Sequence, residues 1–257
     1  METAEYHNLD LVEREHWYYA GKRELVHAWI DRVRPVRRND TWLDFGAGTG
    51  IFALSMRERC RVLALDAFPE SRALLARHFP TDQILAPEGD RIPLADASIA
   101  GVSALDVLEH IEDDQGAVAE IHRVLEPGGI FVGTVPADMR LWSDWDEALH
   151  HVRRYNRDAW RALFSSGDWN VAHLAFTNVL AYPAVYAIRR LRRNRMRNAP
   201  SAPRSEDRVP ARPMNWILRR LFVATGKARW LDAPFGVSLI VVATKRDARL
   251  HGSTGPR

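Results

Sequence analysis

Three acids and a pair of histidines carry most of the chemistry that residue types and spacing can suggest. Asp44 is followed by Gly46, Gly48 and Gly50 at alternate positions. Glycine is used where the backbone must take positive φ or where a ligand must approach the main chain closely. An acid just before such a turn would repel phosphate and suits a ligand with a cationic amino group. Asp66 follows 22 residues after Asp44. An acid at that remove from a glycine turn can accept hydrogen bonds from ribose hydroxyls. Asp90 follows Glu88-Gly89, where it can serve a ligand or simply cap a turn. Further on, Asp146, His150, His151, Arg153, Arg154 and Tyr155 are crowded together. A histidine here can accept a proton from a hydroxyl or amine near neutral pH. The same residues can instead form an ion-pair network that fixes the loop. Adjacent histidines with nearby acids do not make a zinc spacing, so no metal site is expected.

Such residues need elements that end at them. The apolar run into Asp44 reads as a strand, and Ile51 to Arg59 as the helix after the glycine turn. Residues 61–66 read as a second strand ending at Asp66, 70–79 as a helix stopped by Pro80, and 83–90 as a third strand. Residues 98–105 read as the fourth strand, leading into Asp106-Val107-Leu108-Glu109-His110-Ile111. A helix over 115–125 is stopped by Pro127-Gly128-Gly129, and a fifth strand over 130–135 ends at Pro136. Ahead of all these, 9–34 reads as a helix capped by Asn8 or Asp10, interrupted at Gly21 and ended by Pro35. Asn156 can cap a helix over 157–166, and 169–177 and 237–244 read as strands. Alternating strands and helices call for an α/β sheet with its ligand at the carboxyl ends of the strands.

The segment from Asp44 to Gly50 resembles motif I of the class I S-adenosylmethionine (SAM)-dependent methyltransferases. A dinucleotide fingerprint would place its third glycine one residue later, where Ile51 stands. Arg123-Val124-Leu125-Glu126-Pro127-Gly128-Gly129 resembles the family's R-x-L-x-P-G-G marker before the fifth strand, and Asp106 to His110 its D-V-L-E-H stretch. Residues 146–155 resemble the D-E-x-x-x-H-x-R-R-Y stretch of a bacterial subgroup described as type 11 or type 12 methyltransferases. The resemblance implies a Rossmann-like, doubly wound, seven-stranded sheet. It is mostly parallel, with one antiparallel strand inserted between the fifth and sixth and a helical insertion before that last strand.

The cofactor implied is SAM, with S-adenosyl-L-homocysteine as product. Asp44, Gly46, Ala47, Gly48 and Gly50 would face its methionine part, Asp66 and Ala67 the ribose, and Asp90 and Arg91 the adenine. Leu105, Asp106 and Val107 would line the pocket, with Tyr18 and Arg23 folding over it from the amino-terminal segment. His151, then His150 and Tyr155, are the candidates for acting on the acceptor, while His110 reads as a site-lining residue. No Asn-Pro-Pro-Tyr-like motif follows the fourth strand, which counts against amide or nucleobase amine methylation and leaves oxygen favoured. An NAD-dependent oxidoreductase and a SAM-fold protein without methyl transfer are the alternatives.

The 257 residues suit one domain with additions. The expected divisions are a helical cap over 1–35, a SAM-binding core over 36–177, a basic helical insertion over 178–236, and the last strand with a tail over 237–257. The net charge is +3, but Arg189 to Arg197 form one basic run. With the aromatic segments at 178–188 and 214–223 and the linker composition of 198–210, that insertion could lid an apolar acceptor or touch an anionic membrane surface. Nucleic-acid binding is disfavoured, because the basic residues form one local block. Packing between the insertion helices or on a second subunit is the plainer expectation, for a monomer or homodimer. A single cysteine, Cys60, excludes an intrachain disulfide and fits a reducing compartment. Residues 1–16 lack the apolar stretch of a secretion signal. A cytoplasmic protein, peripheral at most to the inner membrane surface, with a small-molecule or lipid-like acceptor, is expected.

Overall fold

The computed structural model describes residues 12–195, 209–228 and 232–247. The caps expected at Asn8 or Asp10, most of the 198–210 linker, the end of the arginine run and the tail beyond 247 lie outside the described residues. Helix α1 (Trp17–Val33) leads into β1 (Thr41–Phe45), α2 (Ile51–Arg57), β2 (Arg61–Leu65), α3 (Pro69–Leu75), β3 (Ile84–Leu85) and β4 (Ile99–Leu105). Then follow α4 (Asp114–Val124), β5 (Leu125–Pro136), α5 (Asp144–Ala148), α6 (Arg157–Ala162), β6 (Trp169–Thr177), α7 (Tyr182–Arg195), α8 (Arg212–Lys227) and β7 (Ser238–Lys245).

One seven-stranded sheet runs in the order β3-β2-β1-β4-β5-β7-β6. Strands β3 to β5 pair in parallel, and β7 is antiparallel to both β5 and β6. The fold class and the place of the last strand therefore stand as the family resemblance implied. Helices cover both faces, so the central strands read as nearly continuous apolar runs. Alternate residues feed two cores. Leu43, Val102, Phe131 and Val241 pack with Val118, Ile121 and Val124 of α4 and with Trp160. Trp42, Val62, Val132 and Ile240 pack on the other face with Leu25, Val26, Trp29 and Ile30 of α1, Phe52 and Met56 of α2, and Phe222 and Val223 of α8.

Several boundaries differ from the sequence expectation. The amino-terminal helix is two pieces: residues 12–15 are helical, His16 is extended, and α1 starts at Trp17. Gly21 does not interrupt α1. It makes room for α8, since a Cβ there would stand 2.9 Å from the Phe222 ring. The third strand shrinks to Ile84–Leu85 because Pro87 cannot donate to a ladder. The helices expected over 70–79 and 157–166 stop earlier, at Leu75 and Ala162. Strand β5 starts earlier than expected, at Leu125, and Glu126 to Gly129 are taken up as an irregularity between the Ile99–Leu125 and Gly101–Ile130 pairs.

Helix α8 is joined to the amino-terminal segment by polar contacts as well as by the core. Asn215 accepts from the Trp17 amide at 2.8 Å and donates to the Glu15 carbonyl at 2.8 Å. Trp29 Nε1 donates to the Gly226 carbonyl at 3.0 Å. Among the described residues, no helix is long and apolar enough to cross a membrane.

Candidate active site

A cleft of about 2100 Å³ opens along the carboxyl ends of β1, β2, β4 and β5. Ligand pockets usually hold roughly 300–1,000 Å³, so this one has room for a cofactor and an acceptor together. Asp44, Gly46, Ala47, Gly48, Asp66, Ala67, Asp90, Arg91, Leu105, Asp106, Val107, Tyr18, Arg23, His150 and His151 all line it. Gly50 and Tyr155 do not.

At the β1–β2 end the wall is main chain. The Gly46 and Ala47 amides donate to the Leu65 carbonyl at 2.8 and 3.0 Å, which hangs the glycine turn from the end of β2. Gly46 has φ +73°, and a Cβ there would fall 2.5 Å from Val107, so no side chain fits. Gly48 has φ +55°, and a Cβ there would meet nothing within 4 Å. The turn is thus open where a ligand would approach. Gly50 caps α2 at φ 81° behind this wall.

Asp66 is buried, and its two carboxylate oxygens accept from the Gly48 and Phe68 amides at 2.8 and 2.9 Å. A carboxylate offers about four lone-pair sites, so two hydroxyls can still be accepted. Asp44 is buried too, accepting from Ser103 Oγ at 2.6 Å, while Trp42 Nε1 donates to the same Ser103 oxygen at 3.0 Å. Burial, with the Asp66 charge adding to it against the Ser103 hydrogen bond, pushes the Asp44 carboxyl up to about 7. Among the described residues no cation pairs with it, and an ammonium group would supply one. Asp90 and Arg91 are exposed on a turn closed by paired backbone bonds between Glu88 and Arg91, at 2.9 and 3.1 Å. These features fit a ligand carrying an ammonium and a ribose diol.

At the β4–β5 end the wall is side chain. Asp106 has φ 57° and bridges Lys22 Nζ, at 2.6 Å, and Thr134 Oγ1, at 2.9 Å. Burial alone would raise this carboxyl, but Lys22 and Thr134 hold it below the usual carboxylate range. Lys22 is therefore the cation that meets Asp106, while Arg23 also lines the cleft. Arg23 donates to the carbonyls of Glu13 and Arg14. The Tyr18 hydroxyl is 3.1 Å from Ser238 Oγ.

Asp146 organises the loop that follows β5. It is 0 % exposed, closes a capping box with Ser143, and accepts from Arg154 Nε at 2.7 Å. His151 Nδ1 is 2.9 Å from the same oxygen. Burial raises the Asp146 carboxyl, but the hydrogen bonds from His151 and Arg154 outweigh it and bring it down to about 2. The network expected from sequence is present in part, joining Asp146, His151 and Arg154, while Arg153 pairs with Asp114 at 2.6 Å instead; it also orients His151 through Nδ1, leaving Nε2 unclaimed by Asp146. The Val152 amide donates to the Glu109 carbonyl at 2.8 Å, which brings the loop against the end of β4. The His151 and His110 rings consequently meet edge to face at 4.7 Å. His150 is exposed, at φ 57°. Tyr155 stands behind the wall. Its hydroxyl donates to Asp114 at 2.7 Å, and burial, reinforced by Asp114, pushes it upward. That occupied hydroxyl takes Tyr155 out of reach of an acceptor.

Two contributors were given no specific role from sequence. Arg189, from the basic run, lies 3.6 Å from Asp146 rather than on an outer surface. Glu109 is 0 % exposed, and burial, with Asp106 close by, pushes its carboxyl well above the usual range. Nothing in local spacing marks Arg189, and Glu109 stands in the sequence only as part of the D-V-L-E-H stretch, without its later partners.

A family model described as a methyltransferase domain matches residues 16–174. The chain belongs to the methyltransferase domain family. This methyltransferase is of the class I, SAM-dependent type, and SAM is its cofactor. It is 31% identical over 152 residues to a malonyl-[acyl-carrier protein] O-methyltransferase of Enterobacter lignolyticus, covering 55% of this chain and 61% of that protein. The chain thus matches about three fifths of that relative's length. Among solved structures, a chain of the complex between the Haloferax volcanii Trm112 methyltransferase activator and a methyltransferase superposes with TM-score 0.60 at 21% identity, covering 95% and 96% of the two chains. A geranyl diphosphate methyltransferase in complex with SAM gives 0.57 at 15% identity, covering 88% and 85%. These likenesses show the fold.

Proposed function

We propose that this methyltransferase methylates an oxygen of a small, apolar or amphipathic acceptor held beside His151. The observation that carries the reading is His151 itself, oriented through Nδ1 by the fully buried Asp146 and lining the same cleft as the glycine turn. In this reading Asp44 and the turn from Gly46 to Gly48 hold the ammonium and carboxylate end of the cofactor, Asp66 its ribose, and Asp90 with Arg91 its adenine. The cofactor supplies a methyl on a sulfonium, whose leaving group is a neutral thioether. The protein's task is then mainly alignment of the attacking oxygen. His151 either takes the hydroxyl proton through Nε2 or fixes the acceptor, and Lys22 keeps Asp106 ionised beside it.

The O-methyltransferase relative supports oxygen. An apolar or amphipathic acceptor is supported by the exposed face of α8. Met214, Trp216, Ile217 and Leu221 are exposed there, with the Arg220 guanidinium 5.8 Å from the Trp216 ring. The opposite face of α8 is spent on the core and on Glu24. That outer face suits an acceptor delivered from an anionic membrane surface.

Calorimetric titration with SAM, S-adenosylhomocysteine and NAD tests the cofactor half. Micromolar binding of the two adenosyl ligands and none of NAD is expected. Methyl-labelled SAM offered with hydroxylated, carboxylated and amine acceptors, with and without anionic vesicles, tests the rest. Label in oxygen acceptors, lost in His151→Ala while SAM affinity holds within about twofold, is expected. Label confined to amines, or turnover unchanged in that variant, would sink the oxygen reading or the role of His151 respectively.

A further inference from the structure

Glu109, His110 and His151 offer one donor atom each, and these atoms all lie within 4.8 Å of one another. Glu109 is 0 % exposed, and among the described residues neither of its carboxylate oxygens has a hydrogen-bond partner. An unsatisfied buried polar group costs about 1–3 kcal/mol, and more when charged, so this carboxyl stands ready for something absent from the free chain. It faces the cleft together with the two imidazoles. His151 uses Nδ1 on Asp146, and the His110 ring meets the His151 ring edge to face at 4.7 Å. Metal-ligating histidines are held as His151 is, by a carboxylate or a backbone carbonyl on the far ring nitrogen.

We propose that Glu109, His110 and His151 bind a first-row divalent transition-metal ion, on which the oxygen of the acceptor completes the coordination. Donors about 2.1 Å from a tetrahedral ion stand about 3.4 Å apart, so separations of up to 4.8 Å close by at most about 1.4 Å on binding. Two imidazoles and a carboxylate suit Zn²⁺, Co²⁺ or Mn²⁺ better than Mg²⁺ or Ca²⁺, which favour all-oxygen shells. Three protein ligands leave coordination positions open. His110 is exposed and gives the ion a way in.

The inference rests on the oxygen-acceptor reading and deepens it. An ion here draws electron density from a bound hydroxyl, so that its proton passes to water more readily. The oxygen then attacks the methyl carbon, and the carbon–sulfur bond breaks with its electron pair moving to sulfur. His151 in this arrangement places the acceptor by holding the ion. The acceptor class narrows to small molecules whose reacting oxygen is itself a metal ligand, such as hydroxyls or carboxylates.

The experiment uses the full chain, stripped with a chelator and titrated with Co²⁺, whose visible absorption reports its ligands. One equivalent bound at micromolar affinity or tighter is expected, weakened at least tenfold in His110→Ala and in Glu109→Gln. Because His110 is exposed, its variant separates lost ligation from lost folding. No stoichiometric binding, or binding unchanged in the double variant, overturns the site. Acetohydroxamate, a chelating oxygen probe, should alter the Co²⁺ spectrum, and an unaltered spectrum overturns the coordination of the acceptor. Calorimetry with S-adenosylhomocysteine on the same samples keeps the two readings apart. Its binding without Co²⁺ binding sinks the metal site and leaves the cofactor reading, whereas Co²⁺ binding without it does the reverse.

Discussion

The cleft wall beneath Asp44 and Asp66 is made of backbone, whereas the wall at Asp106, Glu109 and His151 is made of side chains. Gly46, Ala47 and Gly48 are hung from Leu65 and Asp66 by amides that any sequence with the right glycines would present. Asp146 instead gathers His151, Arg154 and Arg189 from a loop and a helix far along the chain. A backbone-built site is conserved in shape by its turn and tolerates change in surrounding side chains. A side-chain site is redrawn by one substitution, which suits the half that must tell acceptors apart.

Breaking the side-chain half should have the largest effect. Asp146→Ala leaves Arg154 buried without its carboxylate, and losing one partner of a buried pair costs about 3–5 kcal/mol. For a chain of this size that lowers Tm by roughly 10 °C. Thermal unfolding measures it, and a fall below about 3 °C would show that water or Arg189 replaces the lost contact. Breaking the backbone-built half should spare stability more and binding less. Asp66→Ala removes hydrogen bonds to a charged acceptor, worth about 1.5–3 kcal/mol, so SAM affinity should fall by roughly ten- to a hundredfold in calorimetry.

The pH dependence sharpens the contrast. Asp44 sits at about 7 in the folded chain against an ordinary 3.8. The folded state therefore holds a proton that the unfolded state has lost, and stability of the free protein falls as pH rises from about 4 to 7. An ammonium ligand draws the ionised carboxylate. SAM affinity should thus rise by up to about tenfold per unit below pH 7 and level off above it, with one proton released on binding. Asp44→Asn should flatten that slope, and an unchanged slope would assign it to another group. The smallest effect is expected at the joint behind both halves. Asn215→Ala loses two hydrogen bonds between α8 and the amino-terminal segment, about 1–2 kcal/mol, readable as a Tm shift of a few degrees.

The same contrast explains what could be read from the sequence. The order of elements, Asp44 before its glycines and Asp66 at the end of β2 are local patterns, and the structure places them as that pattern requires. Glu109 and His151 lie in separate segments joined by the Val152–Glu109 backbone bond, so no periodicity announces their meeting. Gly21 reads as a break only because Phe222 is invisible from its neighbours in the chain. Arg189 reads as part of a solvated run because its partner Asp146 is more than a helix and a strand away. The shortness of β3 was legible in principle, since Pro87 stands inside the expected strand.

Strand β7 lies between β5 and β6 although it follows both in the chain. On the ribosome, β5 and β6 therefore wait as open edges until residues 238–245 emerge. Helix α1 waits longer, since Trp29 pairs with a carbonyl 197 residues later. At about 5–20 residues per second, that interval is roughly 10–40 s. Unpaired edges are templates for aggregation, so the sheet stays in two parts, with the facing edges of β5 and β6 exposed, until β7 joins them.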